Sequence, residues 1–312
     1  MEPRPFTVIG GFLGAGKTTL VNHILRHSQG VRYAVLVNDF GAINIDAGLI
    51  AAHDGQTMAL TNGCICCSLS DGFITTMLRL MADPSRFDQV IVEASGVSEP
   101  DRIMDFARLD PQLAPDAILV LADAETLAAR LADAQVGEVV ARQIAAADIL
   151  LLNKTDLVPE AALVAAESAL RAHNAEAALL QCRNAELPLG VLLGSGPASA
   201  TLPPDPPPTD TAPPDRVAHD HHGHHGHAPF HTALLDHPDP VPRADFQAWA
   251  DRLPPDILRG KGHVALAGEG SFLWQRVGAR TRLTPAGTAE PGTRIILIGT
   301  RPIDAGQLST PR

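Results

Sequence analysis

The sequence predicts an α/β protein with a mostly parallel sheet in its larger part, followed by a small C-terminal α+β domain. Short apolar strands alternate with helical stretches over the first 180 residues, and this alternation is typical of a parallel sheet flanked by helices on both faces. The strand candidates are near-continuous aliphatic and β-branched runs, as expected where both faces of a sheet are buried. A stretch rich in proline and histidine then interrupts the pattern before it resumes.

The individual elements follow from these patterns. The predicted strands of the first part are Phe6–Gly10, Tyr33–Val37, Gln89–Glu93, Ala117–Ala122 and Ile149–Asn153. The predicted helices are Lys17–His27, Leu69–Met81, Gly137–Ala147 and Glu160–His173. Strand and helix patterns resume at Phe230–Leu235, Ala244–Arg252, His263–Ala267 and Arg294–Gly299.

Four segments follow from this reading. Residues 1–195 form the first domain and residues 229–304 the second, with a tail over 305–312. Residues 196–228 contain eight prolines between Pro197 and Pro214, followed by HDHHGHHGH. Such a composition cannot bury apolar surface, so we predict a flexible linker.

Composition narrows the classes of function. The chain has 312 residues and a formal net charge of −11, and it lacks a basic stripe, so nucleic acid is not an expected partner. No apolar run reaches the roughly 20 residues that a membrane span needs, and the N-terminus does not resemble a signal peptide. Three of the four cysteines fall within four positions, which indicates metal or redox chemistry rather than a disulfide framework. We therefore expect a soluble cytoplasmic protein without a membrane partner; a homodimer is compatible with the sequence.

A phosphate-binding loop follows the first predicted strand. Residues 11–18 fit the pattern G-x-x-x-x-G-K-[ST] and lead into a helix, the context that identifies a P-loop NTPase domain. We expect Lys17 to reach the β- and γ-phosphates and the Thr18 hydroxyl to bind Mg²⁺. Backbone N–H groups and the helix N-terminus complete the predicted site. Its nucleotide-binding residues are Gly11, Gly14, Ala15, Gly16, Lys17, Thr18 and Thr19.

A base-selecting motif ends the strand Ile149–Asn153. The Asp156 carboxylate can accept hydrogen bonds from N1–H and the 2-amino group of guanine, whereas adenine would leave it unpaired. A site of this kind can reject the wrong partner by roughly 10⁴-fold. The Lys154 stem can lie along the base and Asn153 can brace the loop. The order of the two motifs predicts GTP as the nucleotide.

Two acidic turns are candidates for the switches that sense the γ-phosphate. Glu93 ends a predicted strand, and Gly96 follows three residues later. We expect Glu93 near Mg²⁺ or the attacking water, and the Gly96 N–H on the γ-phosphate. Asp39 lies in a second such turn and could belong to the first switch. Acidic and glycine residues also serve as plain turn or capping residues, which is the alternative at each position.

The cysteines Cys64, Cys66 and Cys67 lie between the two candidate switches. Three thiolates this close can converge on one soft ion, and thiolates select zinc or copper(I) over magnesium. Zinc usually takes four ligands, so a position remains for water, a carboxylate such as Asp39, or a partner protein. A structural zinc, a redox pair at Cys66 and Cys67, or buried unreactive thiols are the alternatives.

A histidine tract within the linker is a second candidate for metal binding. Neutral imidazoles on such a segment could hold Zn²⁺, Ni²⁺ or Co²⁺ weakly. The alternative is a solvated spacer. The residues of the tract are His219, His221, His222, His224, His225 and His227.

Several motifs together resemble one family. GGFLGAGKTTLVNHIL, VNDFGAINID, GCICCSL, VIVEASGVSEP and NKTD are similar to the CobW-type GTPases, which include cobalamin-pathway proteins and zinc-transferring metallochaperones. FQAWADRLPPDILRGKGHV resembles the small C-terminal domain of that family. The family more often has Glu at the position of Asp39, so the carboxylate here is shorter by one methylene.

The resemblance implies a GTP-hydrolysing metallochaperone that holds a transition metal, zinc first, on Cys64, Cys66 and Cys67. Hydrolysis would then be tied to delivery of the metal to a client protein. The resemblance also assigns the guanine contacts to Asn153, Lys154 and Asp156. Three alternatives stay open: a regulatory GTPase with a structural zinc, a redox-sensing GTPase, and a cobalt-handling accessory protein of the cobalamin pathway.

Overall fold

A computed structural model describes residues 3–28, 30–37, 57–59, 71–193, 230–286 and 292–303. The chain divides into two compact units. The larger contains a seven-stranded sheet, and the smaller contains most of a five-stranded sheet. Within the described ranges, every helix falls short of the length and apolar character needed to cross a membrane.

The larger unit is built on a parallel sheet. Its strands are β1 (Arg4–Gly11), β2 (Tyr33–Val37), β3 (Thr57–Ala59), β4 (Gln89–Glu93), β5 (Leu113–Asp123), β6 (Ile149–Asn153) and β7 (Ala178–Gln181). Their order is β3-β2-β4-β1-β5-β6-β7, and each neighbouring pair is parallel. The helices are α1 (Lys17–Arg26), α2 (Asp71–Met81), α3 (Pro100–Leu109), α4 (Leu127–Ala132), α5 (Gly137–Ala146), α6 (Glu160–His173) and α7 (Leu189–Leu192). The predicted α/β class is confirmed.

Burial explains why these strands form. All five residues of β2, β4 and β6 are buried, and successive side chains on a strand point to opposite faces. Both faces of the sheet are therefore covered, which is why the strands consist of continuous aliphatic runs. Phe6, Val90, Ile118 and Leu150 belong to one hydrophobic core beneath the helices.

The strand order fixes where a ligand can bind. β1 lies between β4 and β5; the chain leaves β1 toward β2 on one side, and β5 begins the other half of the sheet. Neighbouring loops diverge at such a switch point, and the crevice at the carboxyl ends of the strands is the usual binding site. Gly11, Glu93, Asp123 and Asn153 are the last residues of β1, β4, β5 and β6.

Residues 230–303 contain a second, five-stranded sheet and one helix. The elements are β8 (His231–His237), α8 (Arg243–Asp251), β9 (Ile257–Leu266), β10 (Gly270–Val277), β11 (Arg280–Pro285) and β12 (Thr293–Gly299), with strand order β11-β10-β9-β12-β8. β12 pairs antiparallel with β8 and β9. Phe246 and Trp249 of α8 pack on Trp274 of β10, with ring centroids 5.9 and 5.5 Å away. The predicted α+β class is confirmed here.

Most predicted elements are confirmed, with differences at their ends. The helix predicted from Leu69 begins at Asp71 within the described residues. The pattern predicted at His263–Ala267 belongs to a longer strand, β9. The sequence analysis did not predict seven elements: β3, α3, α4, β7, α7, β10 and β11.

Candidate nucleotide site

The phosphate loop joins β1 to α1 and is shaped by close approach of its backbone to neighbouring strands. Gly16 has φ of 107°, and a Cβ there would lie 2.5 Å from Asn153 Nδ2. The N–H of Ala15 donates to the carbonyl of Phe12 over 3.2 Å, which closes the turn. Only glycine accommodates both the positive φ and the contact at position 16.

Lys17 is the first residue of α1 and is buried, with 8% of its surface exposed. Its Nζ donates to the carbonyl of Phe12 over 3.3 Å, so the ammonium reaches back over the loop. A cation at the start of a helix adds to the positive end of the helix dipole. Together they make this end of the sheet suited to an anion.

Thr18 and Glu93 form a hydroxyl–carboxylate pair next to the loop. Thr18 Oγ1 donates to Glu93 Oε1 over 2.8 Å. Glu93 ends β4 opposite Ile9 of β1, and only 2% of it is exposed. Two hard oxygen donors at this distance are of the kind that Mg²⁺ prefers, so the residues present fit that ion.

The turn after β4 contacts the phosphate loop. The N–H of Ala94 donates to the carbonyl of Ile9 over 2.9 Å. A Cβ on Gly96 would lie 2.9 Å from the backbone nitrogen of Leu13, so glycine allows the two loops to touch. On its other side the turn is held by the side-chain amide of Gln143 in α5.

Asn153 joins the phosphate loop to a second loop after β7. Its Nδ2 donates to the carbonyl of Ala15 over 2.9 Å, and its Oδ1 accepts from the N–H of Ala185 over the same distance. Only 2% of the residue is exposed. Both ends of the amide are therefore used to fix loops that lie at one end of the sheet.

Lys154 and Asp156 lie beside this brace. Lys154 has φ of 61°, and its Nζ lies 2.7 Å from Asp123 Oδ2. Asp156 is exposed in a short 3-10 helix over Thr155–Leu157. The hydroxyl of Thr155 donates to the carbonyl of Cys182 over 3.2 Å, which ties this turn to the loop after β7.

Sequence reasoning missed three residues around the N-K-x-D turn. Asp123 orients Lys154, and the only sequence signal was an acid at a strand end. Ala185 has φ of 56°, and its backbone N–H donates to Asn153 Oδ1. The residues around Ala185 gave no indication of this contact in the sequence. Cys182 is 3% exposed, and its Sγ donates to Asn153 Oδ1 over 3.6 Å. Burial raises the pKa of its thiol to about 12.

The structure brings the phosphate loop, Glu93, Gly96 and Asn153 together at one end of the parallel sheet. The other predicted metal ligands, Cys64, Cys66, Cys67 and Asp39, lie outside the described residues, and so does the histidine tract over 219–227. Among the residues that the structure does describe, no three His, Cys, Asp or Glu side chains form a metal-ligating group.

A glycine loop between a parallel strand and a helix, a buried lysine, a hydroxyl–acid pair and an N-K-x-D turn define a P-loop GTPase. The chain belongs to the CobW/HypB/UreG family. The model of that family's nucleotide-binding domain matches residues 5–181, and the model of the cobalamin synthesis protein CobW C-terminal domain matches residues 230–310. The resemblance found in the sequence is therefore confirmed.

Two curated relatives agree with this assignment. The chain is 30% identical to a zinc chaperone CobW from a Sinorhizobium species, over 96% of this chain and 94% of the relative. It is 32% identical to a zinc chaperone CobW from Pseudomonas aeruginosa, over 88% of this chain and 81% of the relative. A crystal structure of the Zn(II)-bound YjiA GTPase from E. coli matches at 24% identity, covering 99% of this chain and 98% of that chain, with a TM-score of 0.48.

Proposed function

We propose that this GTPase is a metallochaperone that couples GTP hydrolysis to delivery of a transition metal, zinc first, to a client protein. The observation that carries the nucleotide half is that the Thr18–Glu93 and Asn153–Ala15 hydrogen bonds join α1 and the phosphate loop to the ends of β4 and β6. The metal half is supported by the Cys64–Cys67 motif and by relatives that are named zinc chaperones.

The phosphates would lie in the loop between β1 and α1. Lys17 would neutralise charge on the β- and γ-phosphates, because the residue is buried and its ammonium reaches back over the loop to the carbonyl of Phe12. Thr18 and Glu93 would hold Mg²⁺, which neutralises developing charge on the phosphate oxygens when bound. The other residues that would contact phosphate are Gly11, Gly14, Ala15, Gly16 and Thr19.

Guanine would be selected by Asp156. Its carboxylate is exposed at the rim of the site, where it can accept from N1–H and the 2-amino group. Lys154 would pack its stem along the base, and its salt bridge to Asp123 sets its direction. Asn153 connects this pocket to the phosphate loop through its hydrogen bond to Ala15, so the same side chain would support binding of the base and of the phosphates.

Hydrolysis requires an oriented water and a group that distinguishes GTP from GDP. Glu93 is buried at the end of β4, where it can hold that water or the shell of Mg²⁺. Gly96 lies against the phosphate loop, and its N–H would meet the γ-phosphate. Loss of the γ-phosphate would release this turn, the usual way in which such switches change state.

Zinc would be the cargo. Thiolates of Cys64, Cys66 and Cys67 would bind it, with a fourth position for water, Asp39 or a client ligand. The tract over 219–227 would act as a weak collecting arm. Because the cysteines must stay reduced to bind metal as thiolates, the activity would belong to a reducing compartment such as the cytoplasm.

Coupling between nucleotide and metal is the property that defines such a chaperone. The cysteine motif lies between Asp39 and Glu93 in the sequence, so we infer that the metal is held differently in the GTP and GDP forms. Linkage then requires metal to change the relative affinity for GTP and GDP by the same factor, about 5–150-fold for a typical coupling.

The test is a zinc titration of the full chain against a chromophoric competitor, with a non-hydrolysable GTP analogue and with GDP. We expect tighter zinc binding with the analogue. Replacing Cys64, Cys66 and Cys67 by Ser should abolish the difference. Identical zinc affinities in the two nucleotide forms would instead indicate a regulatory GTPase with a structural zinc, and a reversible Cys66–Cys67 disulfide without metal would indicate a redox sensor.

A further inference from the structure

A buried glutamine on α5 holds the turn that contains Gly96. Gln143 Nε2 donates to the carbonyl of Gly96 over 3.2 Å and to the carbonyl of Ser98 over 2.9 Å. Only 1% of Gln143 is exposed. The partners are 47 and 45 residues away in sequence, so the contact depends on the tertiary fold.

The chemistry of the partners fixes the orientation of this amide. Carbonyl oxygens only accept hydrogen bonds, so the NH₂ group must face the turn and both of its hydrogens are used. Gln143 Oε1 is left buried, with no hydrogen-bond partner in the part of the chain that the structure describes. A buried acceptor without a partner is unfavourable, so the value of a glutamine here lies in its two donated bonds.

Hydrogen bonds within the turn, together with those from Gln143, determine the direction of the Gly96 N–H. This N–H shares a rigid peptide plane with the carbonyl of Ser95. The Ser95 carbonyl accepts from the hydroxyl of Ser98 over 2.8 Å and from its backbone N–H over 3.1 Å. Ser98 is in turn held at its carbonyl by Gln143, which also holds the carbonyl on the other side of Gly96.

The phosphate loop completes the enclosure of Gly96. A Cβ on Gly96 would lie 2.8 Å from Leu13 Cδ2 and 2.9 Å from Leu13 N, so the turn is packed directly on that loop. The turn therefore lies between Leu13 on one side and Gln143 on the other. A shift of Gln143 would be transmitted to the place where a γ-phosphate would bind.

We propose that Gln143 is a positioning residue that fixes the Gly96 turn for recognition of the γ-phosphate. In this role it would act through the carbonyls of Gly96 and Ser98 and not by direct contact with nucleotide or metal. The inference rests on the proposed role of Gly96. Through Gln143, α5 would help the protein to distinguish GTP from GDP, because only GTP has the γ-phosphate that the Gly96 turn would bind.

Two substitutions remove one or both donors without changing the length of the side chain. Gln143→Met is apolar and removes both donors, and Gln143→Glu retains at most the single O–H of a protonated carboxyl group. We expect either one to lower affinity for a non-hydrolysable GTP analogue about tenfold, the effect of losing bonds of this type. Affinity for GDP should stay within about twofold, and kcat for GTP should fall. Gln112→Met is the matched control, because that glutamine is exposed before β5.

Ser98→Ala gives a second, milder route to the same measurement. It removes the hydroxyl bond to the Ser95 carbonyl, and the analogue-to-GDP affinity ratio should fall about threefold. If the Gln143 variants do not fold, the Ser98→Ala ratio decides. Equal losses for both nucleotides, or no loss for either, would overturn the proposed role of Gln143. A wild-type chain that binds no GTP would instead refute the proposed function.

Discussion

Thr18 Oγ1 donates a 2.8 Å hydrogen bond to Glu93 Oε1, joining the first turn of α1 to the last residue of β4 across 75 residues of sequence. The bond places a hydroxyl and a buried carboxylate beside the phosphate loop. It brings the proposed Mg²⁺ ligands to one point, and ligands that are already in place reduce the reorganisation needed for catalysis.

Glu93→Gln tests the charge at this point. The amide oxygen can still accept from Thr18 and the volume is unchanged, so the protein should fold normally. Loss of a carboxylate beside Mg²⁺ and water should lower kcat for GTP about 100-fold or more. Turnover measured across a magnesium titration checks this. Glu138→Gln, an exposed acid on α5, should leave kcat unchanged, and equal activity of both variants would remove Glu93 from the site.

Lys17→Ala tests the phosphate loop. Loss of the buried ammonium should reduce GTP turnover by about 10³-fold, because charge developing on the phosphates is no longer neutralised. Alanine is a strong helix former, so α1 should remain intact by circular dichroism. Arg26→Ala at the exposed end of the same helix is the control. Unchanged turnover in the folded Lys17 variant would contradict the assignment.

Asn153→Ala tests the brace between the two loops. It removes bonds to Ala15 and Ala185 in a buried place, which should lower the free energy of unfolding by about 2 kcal/mol. Affinity for GDP and GTP should fall together, because both depend on the phosphate loop. Urea unfolding and GDP titration check these two effects.

Asn174→Ala is the comparison for Asn153→Ala. Asn174 follows α6, and its side chain bonds the carbonyls of Ile144 and Ala147 and the N–H of Ala177. Its loss should lower stability similarly and leave nucleotide affinity unchanged. Weakened nucleotide binding in both variants would mean that the Asn153 effect is only a loss of stability.

His23→Gln tests a pH dependence of stability. Burial lowers the pKa of His23, against the opposing effects of its bond to the Leu187 carbonyl and of nearby Glu186, while His27 and Arg26 lower it further. The unfolded chain takes up this proton near pH 6.5, whereas the folded chain takes it up only at lower pH. The free energy of unfolding should therefore fall as pH drops below about 6.5.

Glutamine can still donate to the Leu187 carbonyl but does not titrate, so His23→Gln should flatten this dependence between about pH 6.5 and pH 5. Urea unfolding at a series of pH values measures it. His173→Gln is the control. Like His23, His173 bonds a backbone carbonyl, here that of Ala169, but its ring is exposed. An unchanged slope in the His23 variant would assign the dependence to other groups.

Deleting residues 196–228 tests the linker. We expect GTP turnover within about twofold of the full chain, and fewer weakly bound zinc ions at equilibrium dialysis. A full-length variant with Asn at the six histidines of the tract separates the imidazoles from the length of the segment. Equal zinc stoichiometry in all three proteins would reduce the tract to a spacer.

The sequence was most informative where a local pattern has only one structural solution. The aliphatic runs of β2, β4 and β6 predicted buried strands, and all three have the predicted bounds. The glycine-rich segment predicted a loop between β1 and α1, since no other element accommodates its backbone.

Elements that depend on distant partners were harder to predict. β9 contains Gly260 and Gly262, which favour a loop when read locally. A Cβ at Gly260 would lie 2.5 Å from Trp274 Cζ3, so the strand needs glycine because an indole from β10 packs on it. The Lys154–Asp123 and Gln143–Ser98 contacts likewise span 31 and 45 residues. Asp123 and Gln143 lie outside the motifs that identify their partners, so the sequence did not indicate either contact.

Cys182 has a consequence for the handling of thiophilic ions. A thiol with its pKa near 12 carries almost no thiolate at neutral pH, and thiolate is the form that binds metals and attacks oxidants or alkylating reagents. Here the sulfur acts as a small hydrogen-bond donor to Asn153. A protein that handles zinc can thus contain one cysteine with a purely structural role, and this thiol stays unreactive while the protein is folded. Any thiol reactivity of the native protein would come from the other three cysteines.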